Sequence, residues 1–197
     1  MGNGVIHVGA HKGEEVPEYI AEGRRPIICF EPQYLAWDTD DAVFRRCHLY
    51  HCALSNETTR LTLRIPRHLH QATESDTMSA TGLPIDRNAA IAIGWTPTPC
   101  GLIDVPVERF DHWASIVEFR RGSCTLLVID VQGMELQVLQ GFGDYLNDFS
   151  EMVIECSETP IYHGGASAQE VVDYLSPYGF VPTSPLVAHG DIRFSRK

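Results

Sequence analysis

The sequence predicts an α/β fold in which helices cover a mainly parallel sheet. Three observations favour this class. Short apolar or β-branched runs, typical of strands buried on both faces, recur at residues 5–8, 26–30 and 124–130. A segment with acidic residues in its first turn, residues 14–20, follows the first run and is typical of a helix start. The resulting alternation of strand and helix implies parallel pairing of the strands.

The remaining elements follow in chain order. Further strands are predicted at residues 47–54, 60–65, 103–107 and 151–155, with a terminal hairpin formed by 180–183 and 192–195. Further helices are predicted at residues 33–46, 109–119 and 134–141, and after Ser167, a typical N-cap, as far as Leu175.

The segment of about residues 66–102 interrupts this pattern. It holds four of the chain's prolines, and residues 91–93 are its best candidate for a short helix or strand. Irregular segments of this length inside a compact domain are usually functional or mobile. We interpret it as an insertion that covers the substrate side of a single domain, residues 1–197, with a disordered excursion as the alternative.

Composition excludes several classes of function. The 197 residues are 44% hydrophobic and 21% charged, which is typical of one soluble domain. A net charge of −11 argues against nucleic acid or an anionic membrane as partner. The absence of a long apolar run, and a core strand at the start, predict a cytoplasmic protein without a signal peptide. Six cysteines without a C-x-x-C pair predict buried thiols and neither disulfides nor a zinc site.

The loop after the first strand is the first candidate binding element. Gly9, Ala10 and Gly13 form a small-residue turn between a strand and a helix, which lets a backbone approach a nucleotide or nucleoside. The spacing matches neither G-x-G-x-x-G nor a P-loop. Glu31 ends the second strand, where its carboxylate is placed to accept hydrogen bonds from both ribose hydroxyls. The pattern favours a nucleoside without phosphates, S-adenosylmethionine, although such glycine turns also occur for purely structural reasons.

Acidic side chains follow three of the predicted buried strands. They are Glu31, Asp130 and Glu155. Ligands of open α/β sheets bind outside the carboxyl ends of the strands, so we expect these three side chains to converge on one cleft. For Asp130 the structural alternative is capping of the helix that follows.

Several ordered motifs together resemble the FkbM family of S-adenosylmethionine-dependent methyltransferases, over essentially the whole chain. They are Val8-Gly9-Ala10-His11-Lys12-Gly13, Phe30-Glu31-Pro32, Ala53-Leu54-Ser55, residues 107–111, Ile129-Asp130-Val131-Gln132-Gly133-Met134-Glu135, Tyr162-His163-Gly164-Gly165, Tyr178-Gly179-Phe180 and Gly190-Asp191-Ile192.

The resemblance implies a Rossmann-like class I methyltransferase fold, with a seven-stranded sheet whose last strand is antiparallel. It implies that Gly9, His11 and Gly13 line the methionine part of S-adenosylmethionine and that Glu31, followed by Pro32, holds the ribose. Ala53 and Leu54 would approach the adenine, and Asp130 and Val131 would lie beside the sulfonium and the substrate. Many family members resemble O-methyltransferases that act on hydroxyls of sugars or secondary metabolites.

One position departs from the family pattern. His7 stands where the family has an acid near the methionine ammonium, and a neutral imidazole can still accept a hydrogen bond there. The chain also begins at the first strand, without the helices that often cover the substrate in such folds. Closure is therefore expected from the 66–102 insertion, from a second subunit in a homodimer, or from both.

We predict methyl transfer to an oxygen of a small metabolite or sugar, without a metal. Such a reaction needs a base for the acceptor's proton, and the candidates are Asp130 first, then Glu155 and His163. For His163 a plain role as a polar loop residue is the alternative. Nitrogen or carboxylate acceptors stay open. The competing classes are a nicotinamide-dependent oxidoreductase, whose ribose Glu31 would serve equally, and a non-catalytic binding module of the same fold.

Overall fold

The computed structural model describes residues 2–33, 44–66, 80–95 and 100–197. The strands are β1 Gly4–Val8, β2 Ile27–Phe30, β3 Cys47–Tyr50, β4 Ala53–Leu54, β5 Thr59–Pro66, β6 Cys100–Glu108, β7 Cys124–Ile129, β8 Glu151–Ser157, β9 Phe180–Pro182 and β10 His189–Arg196. The α-helices are α1 Val16–Ala21, α2 Arg87–Ala92, α3 Phe110–Ile116, α4 Glu135–Phe142 and α5 Ala168–Leu175.

Seven strands of the described chain form one sheet in the order β3-β2-β1-β7-β8-β10-β9. The pairs β1–β2, β2–β3, β1–β7 and β7–β8 are parallel, whereas β10 runs antiparallel to both β8 and β9. This arrangement confirms the predicted mostly parallel sheet, its antiparallel last strand and the terminal hairpin.

A second sheet corrects one prediction. Residues 47–54 were expected to form one strand, but β4 leaves the first sheet and pairs with β6, which also pairs with β5. The break lies at His51 and Cys52, where the Cys52 N–H donates to the Tyr50 carbonyl oxygen at 3.0 Å. The sequence has no glycine or proline at this turn, and its apolar residues continue through it.

The core of the first sheet divides by face, as side-chain alternation in strands requires. Ile6 and Val8 of β1 pack with α3, α4 and α5 on one face, in the cluster that contains a stacked pair of Phe110 and Phe142 rings 4.0 Å apart. Val5 packs on the opposite face beneath α1. The strands are therefore covered on both sides, which accounts for their near-continuous apolar runs.

The helices predicted at residues 14–20, 109–119 and 134–141 and after Ser167 are found, with ends shifted by a few residues. Ser167 is the N-cap of α5 as expected, and its hydroxyl and Glu170 form a capping box. Of the predicted 33–46 helix, residues 34–43 lie outside the described residues, and Phe44–Arg46 is a short 3₁₀ turn. Within the 66–102 segment, residues 80–95 are described and contain α2. Among the described helices, none has the length and apolar character needed to cross a membrane.

Candidate active site

A cleft lies at the carboxyl ends of β1, β2 and β7, the edge of the sheet where the sequence predicts ligand binding. Most of the predicted site residues line it: Gly9, His11, Glu31, Pro32, Ala53, Leu54, Asp130 and Val131. The cleft brings together segments that are far apart in the sequence but adjacent across the parallel strands.

Gly9 is hydrogen-bonded to the end of β2 and allows the chain after β7 to approach closely. Its φ is +85°, a value that favours glycine, and its N–H donates to the Phe30 carbonyl oxygen at 2.9 Å. A Cβ at this position would overlap the carbonyl oxygen of Asp130. Glycine is therefore required here both for backbone conformation and for space.

Glu31 is a buried carboxylate that orders the glycine loop. Its Oε2 accepts the His11 N–H at 2.9 Å, and its Oε1 accepts the Gln33 N–H at 2.8 Å. Burial raises the pKa of Glu31 to about 7, although these hydrogen bonds act in the opposite direction. The Gln33 side chain also donates to this carboxylate. A carboxylate has about four acceptor sites, so Glu31 keeps acceptor capacity for a ligand in the cleft.

Asp130 and Glu155 are joined through a side-chain amide. Gln132 Nε2 donates to Asp130 Oδ1 at 2.6 Å and to Glu155 Oε2 at 2.7 Å. Asp130 and Glu155 therefore lie close together, with Gln132 between them, but only Glu31 and Asp130 line the cleft. Glu155 lines a neighbouring cavity, so the predicted convergence of all three acids on one cleft is found for two of them. The pattern of residues did not predict this role for Gln132, and the only available signal was its position between Asp130 and Gly133 in the family motif.

Gln132 is itself held on several sides. Its φ is +58°, its Oε1 accepts the Tyr162 hydroxyl at 2.6 Å, and its carbonyl oxygen accepts the Thr81 hydroxyl at 2.6 Å. Gly133, with φ +105°, follows it, and a Cβ there would lie 2.5 Å from the Tyr162 ring. The amide that joins the two acids is therefore fixed in one orientation.

The protein raises the pKa values of both acids. Burial, together with the negative charge of Asp130, raises the pKa of Glu155 to about 9. Burial also raises the pKa of Asp130. Because two buried like charges disfavour each other, the coupled pair resists carrying two negative charges at once.

Glu135 is hydrogen-bonded to the same loop. Its Oε1 accepts the Gly133 N–H at 2.9 Å, and burial raises the pKa of Glu135 to about 7. The carboxyl group thus fixes the turn that carries Gln132.

The wall opposite Glu31 is apolar and belongs to the second sheet. Leu54 of β4 and Leu61 and Leu63 of β5 line the cleft there. The side chains of Leu54 and Leu63 are almost completely buried. The cleft therefore offers a polar side on the first sheet and an apolar side on the second.

Two predicted site residues lie beneath α1, and a third forms part of the turn. His7 faces Tyr19, whose hydroxyl is 3.1 Å from His7 Nδ1, and burial lowers the pKa of His7 to about 4. The imidazole is therefore neutral. Ala10 is buried in the core beneath α1, and the Gly13 N–H donates to the Ala10 carbonyl oxygen at 2.7 Å.

His163, a predicted candidate base, does not line the cleft. Its side chain is 63% exposed, and its Nδ1 lies 4.0 Å from Asp86. His189, which the sequence analysis did not single out, lies near the acid pair. Its Nε2 is 3.5 Å from Glu155 Oε1, and its Nδ1 is 2.9 Å from the Ser157 hydroxyl.

Comparison with known proteins identifies similar sequences and structures. A family model described as the methyltransferase FkbM domain matches residues 7–182. A protein named 2-O-methyltransferase NoeI, from Sinorhizobium fredii, is 24% identical over 192 residues, which span 95% of this chain and 77% of that protein. A solved structure from Pyrococcus horikoshii, described as a putative RNA methyltransferase, aligns with a TM-score of 0.42 and 10% identity. That alignment covers 99% of this chain and 76% of the other.

Proposed function

The chain belongs to the FkbM methyltransferase family, and on this basis we propose that it transfers a methyl group from S-adenosylmethionine to a hydroxyl of a small metabolite or sugar. The observation that carries the proposal is the cleft that combines the Gly9 loop, the buried Glu31 carboxylate and an apolar wall. Family membership favours a methyltransferase over the nicotinamide oxidoreductase and over a non-catalytic module. The relative named as a 2-O-methyltransferase supports oxygen as the acceptor atom.

The described residues fit this cofactor. Glu31 keeps acceptor capacity for a ribose hydroxyl, and Leu54, Leu61 and Leu63 suit the apolar faces of an adenine. Gly9 adjoins the Asp130 backbone, and the His11 N–H donates to Glu31, so we place the methionine part along this loop. His7 is excluded from a charged contact there because it is buried and neutral.

S-adenosylmethionine supplies an electrophilic methyl group on a sulfonium, so the protein has to align the acceptor and remove its proton. We assign the proton to the Asp130 carboxylate, which lines the cleft and is oriented by Gln132. Glu155, whose pKa is raised to about 9, stays protonated at neutral pH. Gln132 and Glu155 thus position the base, while Asp130 touches the reacting hydroxyl.

The described part of the 66–102 segment supports its proposed role as a substrate-side cover. Thr81 bonds to Gln132, and Ile85 forms a β-bridge with Tyr162. Residues 67–79 and 96–99 of the segment lie outside the described residues. The single domain, the small-molecule acceptor, the homodimer and the cytoplasmic location stay predictions.

Calorimetric titration tests the cofactor assignment. S-adenosylmethionine, S-adenosylhomocysteine and NAD are titrated into the wild type, into Glu31→Ala and into Glu57→Ala, whose lost carboxyl is exposed on the surface. We expect both adenosyl ligands to bind the wild type and Glu57→Ala, Glu31→Ala to lose them, and NAD to bind none. Absent adenosyl binding, or equal binding by Glu31→Ala, would overturn the proposal.

A further inference from the structure

A small cavity lies at the amino ends of β2 and β3, the end of the first sheet opposite the cofactor cleft. Its volume is about 270 Å³, and four of its six lining residues are arginines: Arg24, Arg25, Arg45 and Arg46, with Ile20 and Ile27 as the apolar remainder. The whole chain has 15 lysines and arginines and a net charge of −11, so such a concentration of cations is unusual in it. We propose that this cavity binds a small anion that carries a diphosphate group.

The parallel pairing of β2 and β3 brings the four arginines together. An Arg-Arg pair precedes each strand in the sequence, at residues 24–25 before β2 and at residues 45–46 before β3. Ile27 is paired with Cys47 in the register of the two strands, and the second arginine of the first pair lies as far before Ile27 as the first arginine of the second pair lies before Cys47. Because neighbouring strands are about 4.8 Å apart, the register places the two Arg-Arg pairs side by side.

Carboxylates of the described residues balance only part of this positive charge. Arg24 Nε lies 2.9 Å from Glu22 Oε2, and Arg24 Nη2 lies 3.6 Å from Glu151 Oε2. Arg25 and Arg46 are exposed, and within the described part of the chain neither forms an ion pair. Like charges held on adjacent strands repel each other and disfavour the folded state. An anion bound between them would remove this repulsion.

A diphosphate group matches this arrangement. A guanidinium forms two parallel hydrogen bonds with the oxygens of a phosphate, so arginines on two strands can hold two adjacent phosphate groups. A single phosphate ester carries a charge of about −1.5 to −2 at neutral pH, and a carboxylate carries less, so two linked phosphates offset several cations best. The cavity is also smaller than the roughly 300–1,000 Å³ of sites for drug-sized ligands, which favours a small anion. The overall negative charge of the chain opposes an extended anionic surface such as a membrane.

The anion would be a second ligand, separate from the proposed methyl transfer. Arg25 precedes β2 and Glu31 follows it, which separates the two residues by about 20 Å at the rise of a strand. The lining of the cavity shares no residue with the cofactor cleft. The inference therefore goes beyond the proposed function and does not depend on it.

Calorimetric titration with inorganic pyrophosphate tests the site, with orthophosphate and acetate as anions of lower charge. The same titrations are run on Arg25→Gln, Arg46→Gln and Arg120→Gln. Arg120 is the matched control, because its side chain is exposed ahead of β7 and does not line the cavity. Flotation with vesicles of phosphatidylcholine and phosphatidylglycerol tests a membrane surface as the alternative. Urea denaturation without anion reports whether each variant is folded.

We expect the wild type to bind pyrophosphate more tightly than orthophosphate and not to bind acetate or the vesicles. Arg25→Gln and Arg46→Gln should each weaken pyrophosphate binding about tenfold, and Arg120→Gln by less than about twofold. Wild-type binding should also weaken as the ionic strength increases, because the contacts are solvent-exposed. Without anion, the two cavity variants should unfold at the same urea concentration as the wild type or at a higher one, since each removes a contact between like charges.

The contrary results are distinct from one another. Absence of pyrophosphate binding to the wild type, or binding that Arg25→Gln and Arg46→Gln leave unchanged, would overturn the site. An equal loss in Arg120→Gln would show a response to net charge alone and would overturn it as well. Binding to the vesicles without binding of free pyrophosphate would overturn the small anion as the ligand. Failure of S-adenosylhomocysteine to bind would overturn the proposed function and leave the anion site standing.

Discussion

The raised pKa of the buried Glu31 carboxyl leads to a quantitative prediction about nucleoside binding. Its pKa is raised to about 7 by burial, so the fraction that is ionised falls as the pH decreases below neutrality. A carboxylate can accept hydrogen bonds from both ribose hydroxyls, whereas the protonated group loses acceptor capacity. At pH 5, two units below this pKa, about 1% of Glu31 is ionised in the free protein. If only the ionised form binds, the affinity falls about tenfold for each pH unit below 7 and is constant above about pH 8.

Adenosine is the ligand that isolates this contact, because it lacks the titrating groups of the amino-acid part. Its dissociation constant is measured by calorimetry from about pH 5.5 to about pH 8.5 for wild type and Glu31→Gln. 2′-Deoxyadenosine serves as the matched ligand. A hydrogen bond to a charged group contributes about 1.5–3 kcal/mol, so removing the 2′-hydroxyl should weaken wild-type binding by about 10- to 100-fold.

Glu31→Gln keeps one acceptor oxygen but has no proton to lose in this range. We expect it to bind adenosine weakly, with no dependence on pH, and to discriminate less between the two nucleosides. The reasoning would be refuted by wild-type binding of adenosine that is constant across the pH range. It would equally be refuted by a 2′-hydroxyl effect of the same size in wild type and Glu31→Gln.

Three further predictions concern stability, and each is measured by urea denaturation. Gly9→Ala should lower the free energy of unfolding by more than about 2 kcal/mol, because it adds overlap with the Asp130 carbonyl to the strain of a positive φ. Gly23→Ala, with φ +72° and open space around it, should show the strain alone. Equal losses in the two variants would contradict the predicted overlap. Glu135 has its pKa raised from 4.5 to about 7, so its favourable contribution is present below pH 4.5 and lost as the pH rises through 7. The wild type should therefore lose up to about 3 kcal/mol between pH 4 and 8 relative to Glu135→Gln, and parallel pH profiles would exclude this. Ser167→Ala should cost about 0.5–2 kcal/mol through loss of the capping box, with unchanged adenosyl binding, and an unaltered unfolding midpoint would show that the cap contributes nothing.

Much of the fold could be predicted from the sequence because its signals are local. Apolar runs of strand length marked β1, β2 and β7, and the order of elements then implied parallel pairing. The separation of β3 from β4 could not be predicted, because the turn at His51 and Cys52 contains neither glycine nor proline. It depends on the pairing of β4 with β6, whose partner residues are more than fifty positions away in the chain.

The acids of the candidate site could be predicted from the sequence, but the side chains that hydrogen-bond to them could not. Glu31 and Asp130 directly follow β2 and β7, whereas Glu155 lies two residues before the end of β8, and topology brings such positions to one edge of the sheet. The role of Gln132 depends on a left-handed backbone and on Tyr162, thirty residues later, so no local pattern reveals it. The position of His7 was available from the alternation of strand side chains, since Val8 beside it points to the opposite face.

The cleft is lined by residues from two separately hydrogen-bonded sheets. Glu31 and Asp130 stand at the ends of strands in the first sheet, whereas Leu54, Leu61 and Leu63 belong to the second. A nucleoside held between them would act as a non-covalent cross-link, and the free energy of its binding would be added to the cohesion of the two sheets. The width of the cleft would then depend on the position of the second sheet. Substitutions in β5 or β6 that shift this sheet would change affinity for the base without altering any polar contact.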